Sequence, residues 1–339
     1  MPEKPKLSMY WASSCGGCEI ALVNLHEKIL EIAEHFDFFF CPCLLDTKYR
    51  DVEALDDGAI ALTFFNGAIR SAENQEMAHL LRKKSRLLVA YGACSSGGCI
   101  PALSNLSTRD EHIRTNYLDS PSLDNPMAVV PQTLTVTPEG DLELPAFFET
   151  VKTLSQVVEV DYFLPGCPPE SHQIWAVMES LIQGKPLPPR HSVLGAGHST
   201  VCEECRKPKT NKAISTFHRT YEIMPDPGQC LLEQGLVCMG VATRNGCGAL
   251  CPEVNMPCTG CYGPPEGVVD SGARMLSALG SVLDLGGYKG LSEGQVAEKA
   301  DAILAGIPDP AGTFYKYSLA SSILQRAILQ RAIPGKRLP

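Results

Sequence analysis

Short apolar runs alternate with amphipathic segments through the first half of the chain. These runs predict buried strands of a parallel sheet at 7–12, 36–45, 59–65, 87–91 and 161–164. Between them, helical spacing of apolar positions predicts helices at 18–34, 71–84 and 171–183. This alternation predicts an α/β fold whose parallel sheet is covered by helices on both faces.

The pattern changes in the second half of the chain. Residues 133–144 predict a hairpin around a Pro-Glu-Gly turn, but from about 195 to 265 Gly, Pro and Cys replace the apolar periodicity. Bound metal groups would have to organise such a segment. Helices are predicted again at 270–285 and 292–304, with a last one at 323–333. We therefore divide the chain into domains at 1–185 and 186–339.

Composition excludes several classes of protein. A net charge of −9 argues against a nucleic-acid surface, which needs clustered Lys and Arg. No run of eighteen apolar residues is present, so we expect no membrane span. The N-terminus lacks an apolar signal core, so we expect the chain in the cytoplasm, where thiols stay reduced. A set of fifteen cysteines therefore fits metal ligands better than disulfides.

Twelve of these cysteines fall into three sets of four, each able to hold an iron–sulfur cluster. The first set is Cys15, Cys18, Cys94 and Cys167; the second is Cys202, Cys205, Cys230 and Cys238; the third is Cys247, Cys251, Cys258 and Cys261. In the first set, ligands follow three predicted strands, whose carboxyl ends share one edge of a parallel sheet. Three clusters in one chain would conduct electrons.

Zinc is the main rival to iron, since it also takes four thiolates. The third set, with four cysteines within fifteen positions and prolines beside them, is close to ferredoxin usage, whereas the second set is looser. His198 lies near enough in sequence to replace one thiolate, and the second and third sets can exchange ligands as in two-cluster ferredoxins. A zinc-stapled interaction module is thus the alternative hypothesis.

Four further residues need an interpretation. Cys41 and Cys43 lie inside a predicted strand and are expected to be buried thiols. Cys99 follows glycines close to Cys94 and is an alternative ligand of the first set. Glu19, at the start of a predicted helix, is interpreted as complementing the helix dipole.

The motifs Ser14-Cys15-Gly-Gly-Cys18, Gly92-Ala-Cys94 and Gly166-Cys167-Pro-Pro resemble the small subunits of NiFe hydrogenases. The resemblance covers nearly the whole chain and implies a flavodoxin-like first domain. It also implies three 4Fe–4S clusters, with the first set holding the proximal cluster, the second the distal cluster and the third the medial cluster. The NiFe centre would lie on a separate large subunit.

The cysteine sets differ from the pattern common in the small subunits of respiratory hydrogenases, which indicates the cytoplasmic branch of this family. Cys202 stands where many periplasmic relatives have a histidine, and the third set has four cysteines where many have a three-iron cluster. The chain is similar to the small subunits of coenzyme F420-non-reducing (methyl-viologen-reducing) hydrogenases, which implies an iron–sulfur or flavoprotein acceptor of a heterodisulfide reductase complex. Deazaflavin-reducing hydrogenases, sulfhydrogenases and cluster subunits of complex-I-like assemblies remain related alternatives.

No residue of this chain is expected to be catalytic. The paired C-x2-C motifs that hold nickel in the large subunit, including their terminal Asp-Pro-Cys, are absent. Asp309-Pro310-Ala311 resembles the terminal motif but has alanine in place of the cysteine. We therefore expect an oxidoreductase subunit of a heterooligomer that relays electrons from hydrogen oxidation to an acceptor subunit.

Overall fold

A computed structural model describes residues 3–287, 290–307 and 309–324. The chain forms two compact units, the first built from residues up to Leu194 together with the stretch from Leu319, the second from Gly195–Ser318. The predicted boundary between residues 185 and 186 lies close to the end of the first unit at Leu194. The division into domains at that boundary stays a prediction. The helix predicted at 323–333 lies, beyond Leu324, outside the described residues.

The first unit contains a five-stranded parallel sheet. The described strands of the chain are β1 Lys6–Trp11, β2 Asp37–Phe40, β3 Ile60–Asn66, β4 Ile69–Ser71, β5 Ser85–Tyr91, β6 Leu134–Thr137, β7 Gly140–Glu143, β8 Phe147–Lys152 and β9 Tyr162–Leu164. The sheet order is β2-β1-β3-β5-β9, and all neighbours pair in parallel. Numbered along the chain, these five strands have the flavodoxin order 2-1-3-4-5, so the predicted α/β flavodoxin-like fold is confirmed.

Two antiparallel pairs lie outside the main sheet. β6 pairs with β7, with Thr137 opposite Gly140, which confirms the hairpin predicted at 133–144. β4 pairs with β8, a ribbon that the sequence did not predict because β4 has only three residues.

Helices cover both faces of the sheet. Those of the first unit are α1 Gly17–Val23, α2 Lys28–His35, α3 Tyr49–Glu53, α4 Ala72–Lys84, α5 Ala93–Gly97, α6 Cys99–Ala102, α7 Arg109–Arg114 and α8 Ser171–Ile182, with single turns at Leu103–Leu106, Thr115–Asp119, Leu154–Gln156 and Leu319–Ser321. The predicted cap of α4 is confirmed, since the Ser71 side chain accepts a hydrogen bond from the Asn74 amide.

Successive strand residues serve two separate apolar layers. Met9 and Phe64 pack in one layer with residues of α1, α2 and α8. Their neighbours Tyr10 and Phe65 pack in the other layer with residues of α3 and α4. Because side chains alternate across a strand, continuous apolar runs supply both faces, as predicted for a buried parallel sheet.

Two predictions about the first unit are wrong. The single helix expected at 18–34 is divided into α1 and α2, because the chain turns at His26, whose φ is 55°. The strand expected at 36–45 ends at Phe40, because Pro42 has no N–H to extend the ladder. Cys43 is consequently exposed, whereas Cys41 is buried as expected.

The second unit has short elements and two longer helices. Its helices are α9 Val201–Glu204, α10 Leu250–Glu253, α11 Ser271–Val282, α12 Glu293–Leu304 and α13 Pro310–Phe314, with single turns at Leu232–Gln234 and Met239–Ala242. α11 and α12 confirm the helices predicted there and are capped by Asp270 and Ser292. Among the described residues of either unit, no helix has the length and apolar character needed to cross a membrane.

A buried carboxylate joins three elements of the first unit. Asp161 is 0% exposed, and its Oδ2 accepts hydrogen bonds from the Leu88 amide at 2.7 Å and from Arg82 Nη1 at 2.6 Å. Arg190 Nη1 lies 2.8 Å from Oδ1. The carboxylate thus ties the approach to β9 to β5, to α4 and to the segment after α8.

We expect Asp161→Ala to lower the free energy of unfolding by about 3 kcal/mol, because it leaves the buried Leu88 amide without its acceptor and the partly buried Arg82 guanidinium without its carboxylate. Urea unfolding followed by circular dichroism measures this change. Asp141→Ala, in the exposed β6–β7 hairpin, is the matched control and should leave the midpoint unchanged. Equal midpoints for the two variants would contradict the role of Asp161.

Candidate metal centres

The first cysteine set lies at the carboxyl edge of the parallel sheet. Cys15 follows β1 and Cys18 lies in the first turn of α1, while Cys94 follows β5 and Cys167 follows β9. The loops after β5 and β9 are joined by backbone hydrogen bonds from Gly92 N to Leu164 O at 2.8 Å and from Ala93 N to Gly166 O at 2.7 Å. Parallel pairing therefore brings segments that are far apart in sequence to one place.

Gly92 makes room for one of these sulfurs. Its φ is +85°, and a Cβ added there would lie 2.4 Å from Cys18 Sγ. Only glycine tolerates both this conformation and this approach. The Cys18 sulfur therefore lies against the start of the loop that carries Cys94.

The thiols of this edge influence one another. Burial raises the pKa of Cys18 strongly, and the nearby charges of Glu19, Cys167 and Cys15 raise it further. The hydrogen bond with Cys99 is the largest cause of the raised pKa of Cys167, followed by burial. Unpaired thiolates are thus disfavoured here, and a cationic metal group is what would stabilise them.

Cys99 belongs to the same group of thiols. Its Sγ lies 3.7 Å from Cys167 Sγ, and its side chain is fully buried. The hydrogen bond with Cys167 has the largest single effect on the pKa of Cys99 and lowers it. The hydrogen bond with Cys94 and burial together outweigh that effect, so the pKa of Cys99 is raised overall. Five thiols therefore meet at this edge, and the interpretation of Cys99 as an alternative ligand stays open. The sequence signal for the position of Cys99 was the Gly-Gly pair directly before it, five residues or fewer from Cys94.

Glu19 has a role that the sequence did not reveal. It is 5% exposed, and Asn66 Nδ2 at the end of β3 donates to both carboxylate oxygens at 2.8 and 2.7 Å. Burial raises the pKa of Glu19, and the Asn66 hydrogen bonds oppose that change. Besides standing in the first turn of α1, Glu19 therefore ties this helix to the central strand of the sheet.

The second set surrounds a cavity within the second unit. A cavity of about 500 Å³ is lined by all four of its cysteines, Cys202, Cys205, Cys230 and Cys238. Burial raises the pKa of Cys238 to about 12, against hydrogen bonds from the amides of Gly240 and Cys258. Lys209, which also lines the cavity, lowers the pKa of Cys202 against the larger effect of burial. The four cysteines and Lys209 thus line the same cavity.

The third set is split between two short segments. Cys247 and Cys251 flank the start of α10; burial raises the pKa of Cys247, and the charges of Glu204 and, more weakly, Cys251 raise it further. Cys258 is buried, and its pKa is raised by burial, then by Cys238 and, more weakly, by Cys261. The Cys258 amide lies 3.3 Å from Cys238 Sγ, so the second and third sets adjoin. This proximity keeps an exchange of ligands between them open.

Other candidate ligands are placed as follows. His198 Nδ1 lies 2.9 Å from Glu266 Oε2, and the His198 side chain is 81% exposed. All fifteen cysteines lie within the described residues, and none of them forms a disulfide. Among these described residues, no three His, Cys, Asp or Glu side chains surround a point in the manner of a single-ion site.

Comparisons with known proteins identify the family. Residues 15–181 match the family model described as "NADH ubiquinone oxidoreductase, 20 Kd subunit". The chain is 37% identical to the iron–sulfur subunit of the F420-non-reducing hydrogenase of Archaeoglobus profundus, over 96% of this chain and 99% of that protein. It is 36% identical to the corresponding subunit of the F420-non-reducing hydrogenase of Methanothermobacter marburgensis, over 97% and 98% respectively.

The chain belongs to the family of NiFe hydrogenase small subunits, in the F420-non-reducing group. The resemblance inferred from its cysteine motifs is thereby confirmed, and the chain is a hydrogenase subunit of the oxidoreductase class. It also aligns with a chain of a solved NAD+-reducing [NiFe]-hydrogenase at 29% identity, covering 55% of this chain and 96% of that one, with a TM-score of 0.47. The segment matched by the family model contains the whole first cysteine set.

If the first set holds a 4Fe–4S cluster, we expect Gly92→Ala to displace the Cys18 sulfur and lower the iron content by about four atoms per chain. Iron analysis of anaerobically purified protein measures this loss. Gly280→Ala is the matched control, because Gly280 lies exposed in α11 with open space around it. If Gly92→Ala retained the wild-type iron content, the approach of Cys18 to this loop would not matter for metal binding.

Proposed function

We propose that this chain is the electron-transfer subunit of a NiFe hydrogenase and binds three 4Fe–4S clusters. The first set, Cys15, Cys18, Cys94 and Cys167, would hold the proximal cluster. The second set would hold the distal cluster through Cys202, Cys205, Cys230 and Cys238, and the third set the medial cluster through Cys247, Cys251, Cys258 and Cys261. The relative from Archaeoglobus profundus is named an iron–sulfur subunit, which supports iron as the metal.

The observation that carries the proposal is the convergence of the first set at the carboxyl edge of the sheet. Its four cysteines come from three loops that parallel pairing holds together, and Gly92 leaves space for the Cys18 sulfur. The donors are all sulfur, and four cysteine thiolates are the usual ligand set of a 4Fe–4S cluster. The cavity surrounded by the second set supports the same interpretation for the second unit.

The chain itself would hold the thiolates and adjust their charge. The Gly17 amide lies 3.4 Å from Cys15 Sγ and the Cys258 amide 3.3 Å from Cys238 Sγ. Amides directed at ligand sulfurs stabilise negative charge, which raises a reduction potential. When bound, each cluster supplies one-electron transfer.

Hydrogen chemistry would take place on a separate large subunit. This assignment rests on the family of the chain and on the absence of paired nickel-binding motifs from its sequence. Electrons would leave for an iron–sulfur or flavoprotein acceptor. The relatives are named as hydrogenases that do not reduce F420. The acceptor inferred from the resemblance is a heterodisulfide reductase complex.

We expect Cys94→Ser to abolish the proximal-cluster paramagnetic resonance signal and hydrogen-dependent dye reduction together, because electrons enter this chain at the proximal site. Both measurements use the complex purified anaerobically; the resonance signal is recorded after reduction with dithionite, and dye reduction is assayed with hydrogen as the sole reductant. The wild-type chain should carry about twelve irons. Stoichiometric zinc without a reducible signal would support the zinc-stapled module instead.

The control for this experiment is Cys99→Ser, which removes a neighbouring buried thiol. It should keep both the signal and the activity if Cys94 is the ligand. Loss of both in Cys99→Ser, with both retained in Cys94→Ser, would reassign the ligand to Cys99.

We expect Lys209→Met to lower the reduction potential of the cluster held by the second set. The Lys209 Nζ donates to the Cys202 carbonyl at 2.9 Å, and its charge favours the more negative reduced state. The decrease should be on the order of tens of millivolts, because Lys209 is exposed and its charge is screened. A redox titration monitored by paramagnetic resonance measures it. Lys299→Met, exposed on α12, is the control, and an equal decrease there would contradict a local effect.

A further inference from the structure

Two cysteines outside the three sets form a close pair in the first unit. Cys41 follows β2 directly, and Cys41-Pro42-Cys43 enters a turn closed by the Leu44 amide, which donates to the Cys41 carbonyl at 2.9 Å. Proline favours the second position of such a turn. Within it, Cys41 Sγ lies 3.4 Å from Cys43 Sγ.

The two sulfurs differ in access to solvent. Cys41 is 2% exposed and packs in the apolar layer that contains Leu25 and Phe36. Cys43 is exposed. Thiol–disulfide exchange needs an accessible sulfur that attacks and a second sulfur within reach that resolves the mixed disulfide. The turn supplies both.

The protonation of Cys41 agrees with its role as the sulfur that resolves the mixed disulfide. Burial, followed by the hydrogen bond and charge of Cys43, raises the pKa of Cys41 to about 12. Near neutral pH, Cys41 is therefore a protonated thiol within hydrogen-bonding distance of the Cys43 sulfur. Glu19, the neighbour of Cys18, adds a smaller contribution of the same sign, so the pair lies near the first cysteine set.

We propose that Cys41 and Cys43 form a redox-active dithiol that exchanges with low-molecular-weight disulfides. The Cys43 thiolate attacks one sulfur of the small disulfide, the S–S bond of the reagent breaks, and one small thiol leaves with the proton. The Cys41 sulfur then attacks Cys43, and the second small thiol leaves with the Cys41 proton. Two protein thiols are oxidised to one disulfide, and one small disulfide is reduced to two thiols. The inference does not depend on which metal the three sets bind.

The test uses a peptide that isolates this pair. Trypsin releases residues 29–48, which contain Cys41 and Cys43 and no other cysteine. The full-length protein, purified anaerobically, is equilibrated with mixtures of oxidised and reduced glutathione, acid-quenched, alkylated, digested and weighed by mass spectrometry. We expect this peptide to lose two hydrogens under oxidised glutathione and to regain two alkylatable thiols under reduced glutathione.

Single substitutions distinguish the roles of the two sulfurs. Cys41→Ser should accumulate one glutathione on Cys43, because the resolving thiol is gone. Cys43→Ser, at an exposed position that tolerates serine, should leave Cys41 unmodified. Leu44→Ser, exposed in the same turn, is the control and should form the disulfide like the wild type.

Three results would overturn the inference. The first is a wild-type peptide that keeps two free thiols at every glutathione ratio. The second is glutathione added separately to both cysteines without an internal disulfide. The third is a Cys43→Ser protein that acquires glutathione as fast as Cys41→Ser. The first two need no variant, so they decide the question even if Cys41→Ser fails to fold.

Discussion

Parallel pairing of β1, β3, β5 and β9 is the constraint on which the first site depends. It places every strand's carboxyl end at one edge, so three loops meet there, and backbone hydrogen bonds join the loops after β5 and β9. Gly92 then decides how closely they meet, since a Cβ there would occupy the place of the Cys18 sulfur. Both the long-range assembly and the local fit therefore rest on backbone geometry, and the cysteines add the chemistry.

The second unit is organised on a different principle. Its stretch before α11 has little regular structure, and Cys238 and Cys258 are buried thiols with raised pKa values. Assembling thiolates in such surroundings is unfavourable unless a metal group neutralises them. We therefore expect folding of this unit and loading of its sites to be linked, whereas the first unit has two apolar layers of its own.

Sequence reasoning succeeded where the pattern was strong and failed where a single residue interrupted it. The strands and the capped helix α4 follow apolar periodicity and capping chemistry, which are local. The break at His26 and the early end of β2 before Pro42 interrupt continuous apolar runs, and periodicity does not register such interruptions. The glycines before Cys99 indicated that it lies near the first set, but its distance of 3.7 Å from the Cys167 sulfur joins residues far apart in sequence and depends on the tertiary structure.

The amino-acid sequence alone determined the alternation of strands and helices, the three cysteine sets and the resemblance to hydrogenase small subunits, because these depend on residue type and spacing. The tertiary structure decided which sulfurs are neighbours: Cys99 beside Cys167, Cys238 beside the Cys258 amide, and Cys41 beside Cys43. It also decided that Glu19 is held by Asn66. Spacing limits which residues are able to meet, but only the packed backbone brings particular atoms within hydrogen-bonding distance.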